Sequence, residues 1–181
     1  KTTQLFPNDF RAYNNLGEMA FAAGDMAKAE SFFKQAAAKN ANAPEVNANL
    51  GLVELVKNNV AAAETFLGKA TGANAANEAL GNLYIKQGQY QRAVNAFGDA
   101  KTNSAAQAQI LAKDYNKAKA TLEAIKDKDA MTDYLMAIVG ARTNNESLVK
   151  SSIKSAIAKD ASLAAKAAND REFAKFASIL K

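Results

Sequence analysis

Apolar residues recur along this chain at steps of three and four, in segments separated by short polar or glycine-containing breaks. The clearest case runs from Phe10 to Ala43. Tyr13, Leu16, Gly17 and Ala20 fall on one helical stripe, Gly24-Asp25 breaks the pattern, and Ala29, Phe33 and Ala36 form a second stripe. Spacing of this kind places each set on one face of a helix, so 10–23 and 26–39 read as two antiparallel helices. Asn8-Asp9 after Pro7 offers an N-cap for the first, and the polar stretch 40–43 leads to Pro44, which suits the first turn of the next helix.

The same unit returns downstream. Helices are expected over 45–57 and 60–70, with Thr71-Gly72 as the break, then over 74–87 and 89–101 around Gly88. A short helix over 103–112 pairs with one carrying Tyr115, Ala118, Leu122 and Ile125. After the charged turn 126–129, helices over 131–142 and 148–159 flank the loop 143–145. A short helix over 162–168 follows, and Asp170 caps a last helix bearing Phe173, Phe176, Ile179 and Leu180. The small residue of each second helix marks the period. Ala29 to Ala63 is 34 residues, Ala63 to Ala93 is 30, Ala93 to Ala118 is 25, and Ala118 to Val149 is 31. The unit is therefore shortened in the middle of the array.

The order of a bulky residue, Leu-Gly, a small residue, Gly-Asp, then Ala, Phe and Ala resembles the tetratricopeptide repeat. Leu50-Gly51, Ala63, Leu67 and Ala70 repeat it. So do Leu80-Gly81, Tyr84, Gly88, Tyr90, Ala93, Phe97 and Ala100. The fifth unit diverges, with Met136 for Leu and Ala137 for Gly, while Ile153 and Ala156 hold the packing positions. The resemblance is clear over 8–101, fainter over 102–161, and leaves 162–181 as a capping helix. It implies one continuous all-α domain, a right-handed superhelix of about five hairpins. Pro7 falls where the family closes a preceding repeat, so 1–7 reads as the remnant of an earlier helix and further repeats are expected upstream of Lys1.

In that family the first helix of each hairpin lines a concave face. By resemblance the face carries Arg11, Asn14, Glu18, Phe21 and Ala22, then Glu45, Ala48, Leu52, Leu55 and Val56. Ala75, Glu78, Asn82, Ile85 and Lys86 follow, and the fifth unit offers Met131, Tyr134, Ile138, Ala141 and Arg142. An apolar strip of Phe21, Leu52, Leu55 and Ile85, bordered by Asn14, Glu18, Asn82 and Lys86, is suited to an extended peptide or an amphipathic helix. Some family members hold a partner's C-terminal carboxylate with Lys and Asn in the first repeat, Asn in the second and basic residues in the third. Here Asn14 and Glu18 stand in the first, Asn49 matches in the second, and Ala75 and Ala79 replace the basic residues, which argues against carboxylate capture.

Composition narrows the chemistry. The 181 residues include no Cys and no His, which removes thiol nucleophiles, disulfides, the usual zinc sites and the commonest proton-transfer group. Glu18, Glu54, Glu64, Glu78 and Glu123 form no evident pair and read as solvated faces or lysine partners. Tyr84, Tyr90, Phe97 and Tyr115 read as filling between helices. The net charge of +5 comes from scattered lysines without the clustered basic and aromatic residues of a nucleic-acid site. No apolar run approaches a membrane span. Asn145-Glu146-Ser147 matches a glycosylation acceptor and carries little weight alone.

The function expected is that of a non-catalytic scaffold binding a protein or peptide partner in a groove of Arg11, Asn14, Glu18, Phe21, Asn49, Leu52, Leu55, Glu78, Asn82, Ile85 and Lys86. No cofactor or metal, nucleic acid or membrane insertion is expected. The alternative is an architectural spacer or dimerisation segment; a groove filled by 173–180 would favour it. The Ala-, Asn-, Gln- and Lys-rich composition, the lack of cysteine and the missing start point to an exported bacterial protein, periplasmic and attached to the outer membrane through other domains, with a cytoplasmic location as the alternative.

Overall fold

A computed structural model describes residues 9–179, and among them the secondary structure is entirely helical. Pro7, Asn8, the expected remnant helix 1–7 and Leu180 lie outside the described residues. The helices are α1 (Phe10–Ala22), α2 (Met26–Lys39), α3 (Pro44–Val56), α4 (Val60–Lys69), α5 (Asn74–Lys86) and α6 (Tyr90–Phe97). They are followed by α7 (Asn103–Leu111), α8 (Tyr115–Ala124), α9 (Ala130–Arg142), α10 (Glu146–Lys159), α11 (Leu163–Asn169) and a 3-10 helix, Arg171–Ile179. The chain divides into two compact units, one ending at Leu83 and one beginning at Tyr84, with the division inside α5.

The five hairpins share one turn. Gly24, Asn58, Gly88, Lys113 and Asn144 occupy the same place in it, with φ of 81, 61, 72, 65 and 55°. Each donates its N–H to the carbonyl three residues back, as Gly24 does to Phe21 at 3.0 Å and Lys113 to Ile110 at 3.0 Å. The following residue donates to the carbonyl five back: Asp25 to Ala20, Asn59 to Glu54, Gln89 to Tyr84, Asp114 to Gln109 and Asn145 to Gly140, at 2.8–2.9 Å. This pair of bonds closes a helix end through a left-handed residue, a conformation that Gly and Asn take readily and Lys does not. The next helix is then capped directly, Asp25 accepting from Lys28 N, Asp114 from Lys117 N and Asn145 from Leu148 N.

Close approach within each hairpin follows from the small residues. A Cβ placed on Gly17 would lie 2.4 Å from Phe33 Cε1, and one on Gly51 would lie 2.6 Å from Leu67 Cγ. In the fifth hairpin Ala137 stands at that register. Gly140, one turn later, faces Val149, whose backbone N would lie 3.0 Å from an added Cβ. Val149 replaces the alanine of the other hairpins because the glycine opposite makes room for it. Phe33, Ala29, Ala36, Val46 and Val53 form the core of the first unit. In the second unit one cluster gathers Ala106, Ala118, Leu122 and Val139, and another gathers Tyr134, Val149, Ile153, Phe173 and Phe176.

Two expectations are corrected. The helix expected over 89–101 ends at Phe97, where Gly98 turns the chain at φ 55°. The segment after Asp170 is a 3-10 helix instead of an α-helix, although Asp170 does cap it by accepting from Glu172 N at 3.0 Å.

Gly17→Ala is expected to destabilise the protein by about 1–2 kcal/mol despite its better helix propensity, because overpacking outweighs it. The double variant with Phe33→Leu should lose less than the sum of the single losses in urea unfolding. Lys113→Gly is expected to raise stability by about 0.5–1 kcal/mol, the relief of left-handed strain exceeding the entropy gained by the unfolded chain.

Candidate binding surface

In the first unit α1 and α3 lie side by side, joined by a polar network at the positions expected to line the groove. Asn14, only 4% exposed, donates to Glu18 Oε1 at 2.8 Å. Asn49 Nδ2 donates to Asn14 Oδ1 and to the same Glu18 oxygen, each at 3.0 Å. Arg11 is turned onto Asp9, its Nε and Nη2 meeting the two carboxylate oxygens at 2.9 and 3.0 Å, so each charge holds the other ionised and the Asp9 carboxyl sits below its usual range. By the resemblance Asn49 stands where some repeats hold a partner's carboxylate, but both N–H groups of its amide are already engaged within the chain, in line with the expectation against carboxylate capture.

The apolar strip is only partly available. Phe21 is half-buried and packs on the core of the first two hairpins, and Leu55 packs on the cluster of Ala48, Leu67, Ala70 and Ala76. Leu52 is half-buried and Val56 is 58% exposed, whereas Leu50 and Val53 of the same helix are buried. Glu18, Glu45 and Glu78 are exposed and Asn82 is half-buried. Ile85, half-buried, and Lys86, exposed, belong to the second unit, so the strip of four does not lie within one unit.

In the second unit the face assigned to the fifth hairpin is occupied by the chain's own C-terminal segment. The Tyr134 hydroxyl donates to Asp170 Oδ2 at 2.6 Å, and its ring meets Phe173 edge to face with centroids 5.5 Å apart. Burial, then Asp170, pushes the Tyr134 hydroxyl above the usual tyrosine range. Arg142 Nε donates to Glu172 Oε2 at 2.7 Å and Nη2 bonds the other oxygen. Beside this pair a cleft of about 170 Å³ opens between α7 and α9, floored by Ile110, Leu111, Leu135 and Ile138 and edged by Gln107 and Lys113. Gln107, Ile110 and Leu111 stand in the register of Glu18, Phe21 and Ala22. Sequence reading missed them because α7 is short, although counting back from the turn would have located them.

Tetratricopeptide repeat models match residues 20–84 and 76–105. Tetratricopeptide repeat proteins are also among the solved structures that resemble the fold. The chain carries tetratricopeptide repeats over residues 20–105. No curated protein matches it. YrrB, described as a tetratricopeptide repeat protein with an unusual peptide-binding site, superimposes with a TM-score of 0.67 at 18% identity, covering 88% of this chain and 90% of its own. A tetratricopeptide repeat protein from Parabacteroides merdae gives 0.73 at 17% identity over 95% of this chain and 76% of its own. PilW, a type IV pilus biogenesis factor, gives 0.63 at 19% over 96% and 85%.

Two further polar groups of the repeats serve structure. Of the two roles expected for it, Glu54 is the lysine partner and not the solvated carboxylate. It is 8% exposed, accepting from Asn59 at 2.8 Å and from Lys57 at 3.0 Å, which together hold it below the usual carboxylate range. Asn145 caps α10 through its side-chain oxygen. No cluster of acidic residues among the described ones is placed to hold a metal, and no described helix is long and apolar enough to cross a membrane.

If Arg142 holds the C-terminal segment, Arg142→Gln should speed amide exchange of 171–176 by about three- to tenfold and leave α7 and α8 unchanged. That factor corresponds to the roughly 1 kcal/mol expected of a partly exposed bidentate pair.

Proposed function

We propose that this tetratricopeptide repeat chain is a non-catalytic scaffold that receives a peptide or protein partner on the first helices of its hairpins. The observation that carries the reading is the surface of α3 in the first unit. Leu52 and Val56 remain accessible beside the ordered Asn14–Glu18–Asn49 network. Apolar anchors next to a fixed polar edge favour recognition by shape and hydrogen bonding, with no bond made or broken. The peptide-binding site named for YrrB agrees with this use of the fold.

A second reading, an architectural spacer or dimerisation segment, draws support from the fifth hairpin. There the C-terminal segment fills the corresponding face through Tyr134, Phe173 and the Arg142–Glu172 pair. For location we propose the periplasm, with outer-membrane attachment through other domains. Composition and the likeness to the pilus factor PilW support this over the cytoplasm.

Leu52→Glu tests the first reading without disturbing the core, whereas Leu55→Glu would unfold the cluster on which Leu55 packs. In affinity capture from an extract of the source organism, the variant should keep its helical circular dichroism and lose at least nine-tenths of a partner retained by the unaltered chain. Equal capture by both would overturn the reading and leave the architectural one.

A further inference from the structure

In the first unit the first helices together carry more acidic than basic residues, and the second helices the reverse. Among the described residues of that unit, the second helices carry Lys28, Lys34, Lys39 and Lys69 against Glu30 and Glu64, and Lys57 lies in a turn, where it pairs with Glu30. The first helices carry Glu18, Glu45, Glu54 and Glu78 and a single cation, Arg11. Arg11 is neutralised by Asp9, and Glu54 is buried against Lys57 and Asn59. Glu18, Glu45 and Glu78 are exposed. A protein of net charge +5 thus has an acidic surface on the first helices of its first unit.

The amides strengthen this polarity. Asn49 has both N–H groups engaged, and Glu18 takes the acceptor place that a ligand carboxylate would otherwise fill. Only one Glu18 oxygen is used, and the second has no partner among the described residues. A partner therefore meets fixed acceptors and an accessible leucine. An acidic partner would be repelled, and a lysine or arginine would gain a charge-assisted hydrogen bond.

We infer that the partner surface of the first unit selects an extended basic peptide, in which apolar residues seated at Leu52 and Val56 alternate with Lys or Arg directed at Glu18 and Glu78. This rests on the scaffold reading above and names the chemistry of its partner.

The test is selection of a phage-displayed random dodecapeptide library on the immobilised chain, with Leu52→Glu and Glu18→Gln/Glu78→Gln variants as counter-targets. Gln at 18 keeps an oxygen for the two amides. The expected result is a set of peptides that require Leu52, carry more Lys and Arg than Asp and Glu, and lose about tenfold in affinity on the double variant and again on raising the salt concentration. Leu52-dependent peptides that are acidic or uncharged would overturn the charge selection and leave the scaffold reading standing. Basic peptides indifferent to Leu52→Glu would overturn the inference by placing attraction elsewhere. Capture of no Leu52-dependent peptide would overturn both.

Discussion

The close seating of a bulky side chain on a glycine, within a hairpin closed by a left-handed residue, is the constraint on which the rest of this structure depends. Phe33 over Gly17 and Leu67 over Gly51 bring paired helices to contact distance, and the turn bonds fix their relative rotation. Rotation decides which residues of a helix face its neighbours. Length does not. The first helices are 13 residues in α1, α3, α5 and α9 but 9 in α7, and the second helices fall from 14 in α2 to 10 in α4. Each of those losses is four residues, close to one turn of 3.6, so the surviving residues keep their faces. The array tolerates shortening for this reason, and the cleft at Ile110 and Leu111 survives beside the truncated helix.

The same constraint separates structural from accessible side chains. Residues in register with the turn are consumed by packing, as Phe33, Leu67 and Ala29 are, and so cannot vary freely. Those on the opposite side of the first helices are not consumed in this way. In the first unit they include an amide and carboxylate network and the exposed part of α3; in the second the C-terminal segment claims the equivalent surface. The two units thus present different chemistry on one repeated frame.

Most of this frame was legible from periodicity. The predicted limits of α1 to α5 lie within one residue of those observed, because caps, glycine turns and Pro44 are local signals. The early end of α6 was missed although Gly98-Asp99 repeats the dipeptide of Gly24-Asp25, since Ala100 also fits the helical period. The left-handed turn at Lys113 has no local signal, lysine being an ordinary surface residue. The polar network was opaque for another reason. Asn14 and Asn49, like Tyr134 and Asp170, are about one repeat apart in sequence and meet only through hairpin stacking. Resemblance identified Asn14, Glu18 and Asn49 as surface positions; only the structure joins them, and only the structure shows that Phe21 and Leu55 are largely committed to packing.

In the proposed mode of binding, the first helices form the binding surface and the second helices hold it. Backbone amide shifts of the isotopically labelled chain, followed by NMR during titration with a peptide selected on it, test this most directly. The largest changes are expected at Glu18, Asn49, Leu52 and Val56 on α1 and α3. Changes concentrated on the outward residues of α2 and α4, around Ser31 and Gln35, would contradict it.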